Sequence, residues 1–175
     1  YAEETSSWST EPVHQGSPTI QFGRGLDVAW DESTNPHMSY FEVYDDMGDL
    51  YYSYWDEGSS WANEDTGITI NNPEETAIAL DTEGNPCIVY KEGQGLYLSC
   101  RGNSWTAPEF IDNANSPLFS LTFKGDTPCV SYMDTSDYLT VKCQGDSWDL
   151  EFKETSKPTG MDSDIDVGDD GNLIV

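Results

Sequence analysis

Residues 86–100 read "PCIVYKEGQGLYLSC", two alternating apolar runs joined by a glycine-bearing turn, with a cysteine near each end. Residues 128–143, "PCVSYMDTSDYLTVKC", repeat the arrangement and take up the remaining two of the chain's four cysteines. The midpoint of Cys87 and Cys100 falls between Gly93 and Gln94, inside "EGQG"; that of Cys129 and Cys143 is Ser136, inside "DTSD". Hairpins folded about those turns set each cysteine opposite its partner. Opposed residues of an antiparallel pair have Cβ atoms about 4.5–5.5 Å apart, and a disulfide asks for about 3.5–4.5 Å. The placement predicts disulfides 87–100 and 129–143. A zinc site would need short Cys spacing or nearby histidines, which neither bracket has. Four free thiols would give no reason for matched positions across turns of different length. Each bridge closes a loop of about 14 residues, worth about 3 kcal/mol in the chain-entropy model. Such bridges imply an oxidising, extracytoplasmic setting, so an extracellular or cell-surface location is expected.

The brackets belong to a longer repeat. "SSW" at Ser6–Trp8 returns at Ser59–Trp61, as "NSW" at Asn103–Trp105 and as "DSW" at Asp146–Trp148, with tryptophan spacings of 53, 44 and 43 residues. "VAWDESTNPHMSY" from Val28 matches "IALDTEGNPCIVY" from Ile78, "LTFKGDTPCVSY" from Leu121 and the truncated "IDVGDDGNLIV" from Ile165. Between them lie "LYYSYW", "LYLSCR" and "LTVKCQ", beginning at Leu50, Leu96 and Leu139. Each unit holds four short runs of period-2 alternation divided by Gly, Asn, Asp and Pro turns, which read as strands. No stretch carries a helical period.

A four-strand unit of about 40–45 residues is the signature of a β-propeller blade. The expected fold is all-β, with blades of four antiparallel strands: three complete repeats and two complementary partial ones. Residues 1–175 form a single propeller domain or segment, divided into the end of a blade (1–25), blades at 26–75, 76–117 and 118–160, and the start of another (161–175). The tryptophans recur at one strand position and are expected in the core between blades. Tyr1 aligns with Tyr54 and Val175 with Ile88, so the two ends carry complementary parts of one blade. Either they meet in a four-bladed ring, or the chain is a mature or partial piece of a longer or multi-chain propeller.

The run Asp31, Asn35, Pro36, His37, Ser39 and Tyr40, followed by Leu50, Tyr51, Trp55, Asp56, Gly58, Ser59, Ser60 and Trp61, then Asp81, Gly84, Asn85, Pro86 and Tyr90, resembles a family of repeats common in large secreted and cell-surface proteins of archaea and bacteria. The resemblance spans nearly the whole chain. It implies a propeller distantly related in fold to the Asp-box, sialidase-like group, and leaves function open because such repeats serve many roles. Where the family pattern has His and Tyr or Ala at two strand positions, this chain has His37 and Tyr54 in one repeat, then Cys87/Cys100 and Cys129/Cys143. On that reading the cysteines replace a cross-strand pair.

Composition sets the surroundings. Seven basic and 33 acidic residues give a net charge of −26. Nucleic acid is therefore not an expected partner, since phosphate neutralisation needs a basic patch. No run of 18 apolar residues is present to form a membrane-spanning helix. The catalytic inventory is thin: sialidase-type sites hold a carboxylate with three arginines, and only Arg24 and Arg101 exist here. His14 and His37 are the two histidines, and no nucleophile elbow or phosphate loop appears. A non-enzymatic role is expected.

Two such roles stand open. One is a structural or interaction module of a secreted or cell-surface assembly, with other chains or the rest of a larger polypeptide as partners. The alternative is a glycan-binding, lectin-like propeller, with a glycosidase-type fragment as a more distant reading. Aromatic residues near the hairpins that could stack on sugars are Tyr44, Tyr51, Tyr52, Trp55 and Tyr138. Asp162, Asp164 and Asp166 alternate along "DSDID" and share a face, with Asp27 at the matching position of the first repeat. Oxygen ligands of this kind suit calcium, although the run lacks the glycine and glutamate of an EF-hand loop.

Overall fold

The computed structural model describes residues 10–14, 21–56, 60–156 and 162–175. Every regular element is a strand: β1 (Gln21–Trp30), β2 (Pro36–Tyr44), β3 (Met47–Asp56), β4 (Ser60–Asn71), β5 (Thr76–Leu80), β6 (Pro86–Glu92), β7 (Gly95–Cys100), β8 (Glu109–Lys124), β9 (Thr127–Asp134), β10 (Leu139–Gln144), β11 (Trp148–Lys153), β12 (Asp166–Val167) and β13 (Leu173–Ile174). All named pairs are antiparallel and join neighbours in sequence. β1–β4 make one sheet, β5–β11 a second, and β12–β13 a short third. Among the described residues the sheets do not close on one another. The aligned opening Tyr1–Trp8 lies outside the described residues, as do Gly58 and Ser59.

The β1–β2 and β5–β6 turns are built alike. Asp31 accepts the Asn35 backbone N–H at 2.7 Å, and Asp81 accepts that of Asn85 at 2.8 Å. One residue earlier the chain passes through a left-handed conformation, at Thr34 (φ 62°) and Gly84 (φ 81°). The aspartate caps the turn, which relieves part of the strain of a non-glycine residue there.

The seven-stranded sheet differs from the sequence division at 117/118. β8 runs unbroken for 16 residues. Its first part pairs with β7 (Leu98↔Glu109 to Gly95↔Asn113), and its second part with β9 (Phe119↔Tyr132 to Lys124↔Thr127). β5–β8 and β8–β11 are thus two four-strand meanders sharing one long strand. Pro117 sits in an irregularity of the β8–β9 ladder, between Ala114 (opposite Asp134) and Phe119 (opposite Tyr132), where no ladder N–H is needed.

Three apolar layers hold the meanders together. Phe41, Leu50 and Tyr52 of the first meander pack with Ile78, Ile88 and Tyr90 of the second. Val89, Leu96 and Leu98 of the second pack with Leu121, Val130 and Tyr132 of the third. Cys129, Val141 and Cys143 of the third meet Ile165 of the C-terminal segment. Burying such side chains is worth about 1.5–3 kcal/mol each.

Both disulfides form, Cys87–Cys100 and Cys129–Cys143, and each pair is directly opposed in its hairpin. Among the described residues no helix is long and apolar enough to cross a membrane.

Candidate functional site

Polar chemistry concentrates where the first and second meanders meet. Glu64 of β4 lies opposite Tyr52 of β3, which points it toward the second meander. Arg101 follows β7 and forms an isolated bridge with Trp105. Across the junction Arg101 donates from Nε to Glu64 Oε2 and from Nη2 to Oε1, both at 2.7 Å. Trp105 Nε1–H donates to Glu64 Oε2 at 3.3 Å. The bidentate fork fixes both planar groups in one orientation, and each remains about one third exposed. Bonding to Glu64 raises the Arg101 pKa further above its usual value.

Aromatic rings floor this pair. The Arg101 Cζ stands 6.0 Å from the ring centroids of both Tyr52 and Tyr54, at the outer limit of cation–π contact. Trp105 meets Tyr52 edge-on at 5.5 Å, and Tyr54 stacks on His37 at 6.0 Å. The His37 Nδ1 and Tyr52 hydroxyl are 2.5 Å apart in the interior. Burial pushes the His37 pKa down, against the opposing pull of Asp31, and pushes the Tyr52 hydroxyl up. Tyr54 and Trp105 are half-buried, so the site has a dry floor and an open rim.

The next junction repeats the device with a neutral group. Glu109 of β8 accepts from Gln144 Nε2 at 2.7 Å and from Trp148 Nε1 at 3.0 Å. Gln144 stands where Arg101 stands, and Trp148 where Trp105 stands. A carboxylate three residues after Trp61 and four after Trp105 is the sequence signal for both junctions.

The residues singled out from the sequence do not gather in one place. Tyr52 is in the junction but buried. Tyr51 lies on the other face of β3, stacked on Tyr40 and 5.1 Å from His14, and its hydroxyl is pushed up to about 12, chiefly by burial. Trp55 meets Trp61 edge-on, and Tyr44 donates to Asp49 at 3.3 Å near a hairpin tip. Tyr138, in the third meander, lies under Lys153 Nζ at 5.3 Å.

Of the acidic group, Asp27 accepts the Ile78 backbone N–H and Asp164 accepts the Ser120 hydroxyl. Burial, with a smaller contribution from Asp164, raises the Asp27 pKa. The "DSDID" segment is extended only in part, with Asp166 its one strand residue. Among the described residues no three His, Cys, Asp or Glu side chains are assembled to hold a metal ion.

No protein-family model and no curated protein matches this sequence. Solved structures do. A Dyadobacter fermentans protein of unknown function superposes with a TM-score of 0.65 at 9% identity, over 90% of this chain and 62% of that one. An Aleuria aurantia lectin mutant in complex with Fucalpha1-6GlcNAc superposes with a TM-score of 0.60 at 15% identity, over 80% of this chain and 49% of that one. The chain thus spans less than two thirds of either neighbour, and at these identities the likeness concerns the fold alone.

Proposed function

We propose that this chain is a non-catalytic, glycan-binding run of β-propeller blades in a secreted or cell-surface protein, with its binding site at the junction of the first and second blades. The observation that carries the reading is the partly exposed Glu64–Arg101 pair set beside Trp105 and Tyr54. A sugar offers ring C–H faces and hydroxyls that both donate and accept. An aromatic wall takes the first, and a fixed carboxylate beside a fixed guanidinium takes the second. The lectin-like neighbour supports this over the platform role that the sequence favoured. The two disulfides support the location.

The test is calorimetric titration with Fucalpha1-6GlcNAc, backed by a glycan array. The expected result is binding that falls at least tenfold, about 1.4 kcal/mol, in Arg101→Ala and in Glu64→Gln. No glycan bound by the wild type, or binding unchanged in both variants, would overturn the proposal.

A further inference from the structure

The second and third meanders meet through the same device as the first and second, with one exchange that changes its chemistry. Glu109 lies opposite Leu98 as Glu64 lies opposite Tyr52. Gln144 and Trp148 are spaced as Arg101 and Trp105 are, each pair following a bridged cysteine. Gln144 Nε2 donates to Glu109 Oε2 at 2.7 Å, and Trp148 Nε1 donates to Oε1 at 3.0 Å. The carboxylate is exposed and its two donors are half-buried.

The hydrogen-bonding groups left over differ between the junctions. Arg101 directs two of its N–H groups at Glu64, keeps the rest as donors, and cancels the carboxylate charge. Gln144 cancels no charge, and its amide brings an acceptor oxygen to the rim. The second junction therefore carries a net negative charge and a surplus of acceptors, the two Glu109 oxygens beside the Gln144 carbonyl. Lys142, two residues before Gln144 on the same face of β10, does not answer that charge, because it is held by Asp112 at 2.7 Å. Leu98 and Cys100 stand where the first junction has Tyr52 and Tyr54, and Trp148, packed on that apolar layer, supplies the aromatic wall.

We propose that the junction of the second and third meanders is a second carbohydrate site, and that its ligand is an amino sugar carrying a protonated amine. An ammonium has three donors, no acceptor and a positive charge, the complement of what this junction leaves open. Trp148 takes the C–H face of the ring and favours a cation beside it. An N-acetylated sugar has lost the charge and presents one N–H, so the site discriminates against it. The inference rests on the glycan reading for the class of molecule; the charge preference comes from Glu109 and Gln144.

The probe is the glucosamine trisaccharide, titrated calorimetrically in about 0.15 M NaCl, where a Debye length of about 8 Å screens the general attraction of an acidic chain. Its fully N-acetylated counterpart is the uncharged control. The wild type should bind the amine form at least about tenfold more tightly. Glu109→Gln should remove that margin. So should Gln144→Arg, which keeps the carboxylate but rebuilds on it the charge-cancelled fork of the first junction; thermal melts verify that both variants fold. Asp45→Asn takes an equal charge from an exposed turn of the first meander and should leave the margin intact. Equal binding of the two trisaccharides, a margin that survives in either junction variant or is lost in Asp45→Asn, or trilysine bound as tightly as the sugar would each overturn the proposal. Amine binding that depends on Glu109 while Fucalpha1-6GlcNAc fails to bind would overturn the first-junction site and support this one.

Discussion

His37 and Tyr54 face each other across β2 and β3 in the register that Cys87 and Cys100, and Cys129 and Cys143, hold in the next two meanders. Their rings stack at 6.0 Å with 19° between planes. One cross-strand position thus carries an aromatic pair once and a covalent bond twice. The double variant His37→Cys/Tyr54→Cys is expected to close a third disulfide during oxidative folding. Intact mass would be six hydrogens below the fully reduced form instead of four. Two persistent thiols would show that the shared register does not bring the first hairpin into disulfide geometry.

The existing bridges should matter in proportion to the loops they close. Cys129→Ser/Cys143→Ser removes a constraint over 14 residues, an expected cost of about 3 kcal/mol. For a chain of this size that lowers the Tm by about 6–12 °C. A scan showing no change would mean that the unfolded chain is already constrained by other means.

Much of this fold is legible in the sequence. Period-2 alternation and two turn midpoints were enough to pair the cysteines, because a hairpin's register follows from its turn. The continuity of β8 is not legible, since "NSP" at residues 115–117 carries turn residues and an irregularity in the β8–β9 ladder lets the strand run through them. Tyr52 lies beside Tyr51 near a hairpin, yet it aligns with Leu98 and Val141, and that apolar column marks its inward face. The Arg101–Glu64 pair is not legible in the sequence, because Glu64 belongs to the preceding repeat. Contacts between repeats have no fixed sequence spacing except through the repeat itself.

Gly25 is expected to be the least replaceable glycine in the first meander. Its φ is +64°, and a Cβ there would stand 2.3 Å from the Glu74 carbonyl oxygen, a backbone atom that cannot swing aside. Gly84 has a similar φ of +81° but nothing within 4 Å of the added carbon. Gly84→Ala should cost only the left-handed strain, about 1–2 kcal/mol, whereas Gly25→Ala should cost clearly more and separate the first and second meanders. Urea titration of the two variants compares them directly, and equal midpoints would contradict the clash.

Stability should fall as the solution is acidified through the range of histidine. The His37 pKa is lowered in the folded protein, mainly by burial, with Arg101 adding to and Asp31 opposing the shift. Between that lowered value and the unfolded value near 6.5, the unfolded chain binds more protons, so stability rises with pH. The contribution is present above about pH 6.5 and is lost below it. The melting temperature of the wild type should therefore drop more between pH 7.5 and pH 5.5 than that of His37→Gln. Parallel curves would assign the slope to other groups.

Asp27 carries the opposite sign. Its carboxyl is half-buried against the second meander, and that burial, aided by Asp164, raises its pKa above the ordinary carboxylate value. The backbone N–H of Ile78, bonded at 2.8 Å, offsets part of that cost. A raised folded pKa means that the folded state binds more protons than the unfolded one between the two values. Its contribution is fully present below the unfolded pKa, near 3.9, and is lost as pH rises through the folded pKa. At neutral pH the charge therefore works against folding. Asp27→Asn keeps an oxygen to accept from Ile78, places no charge beside Asp164, and should raise the melting temperature at pH 7. The gain should shrink as the pH is lowered through the raised pKa and vanish near pH 4, where the wild-type carboxyl is itself neutral. A stabilisation of equal size at both pH values would trace it to packing rather than charge, and a loss at pH 7 would mean that the carboxylate is needed to hold Ile78.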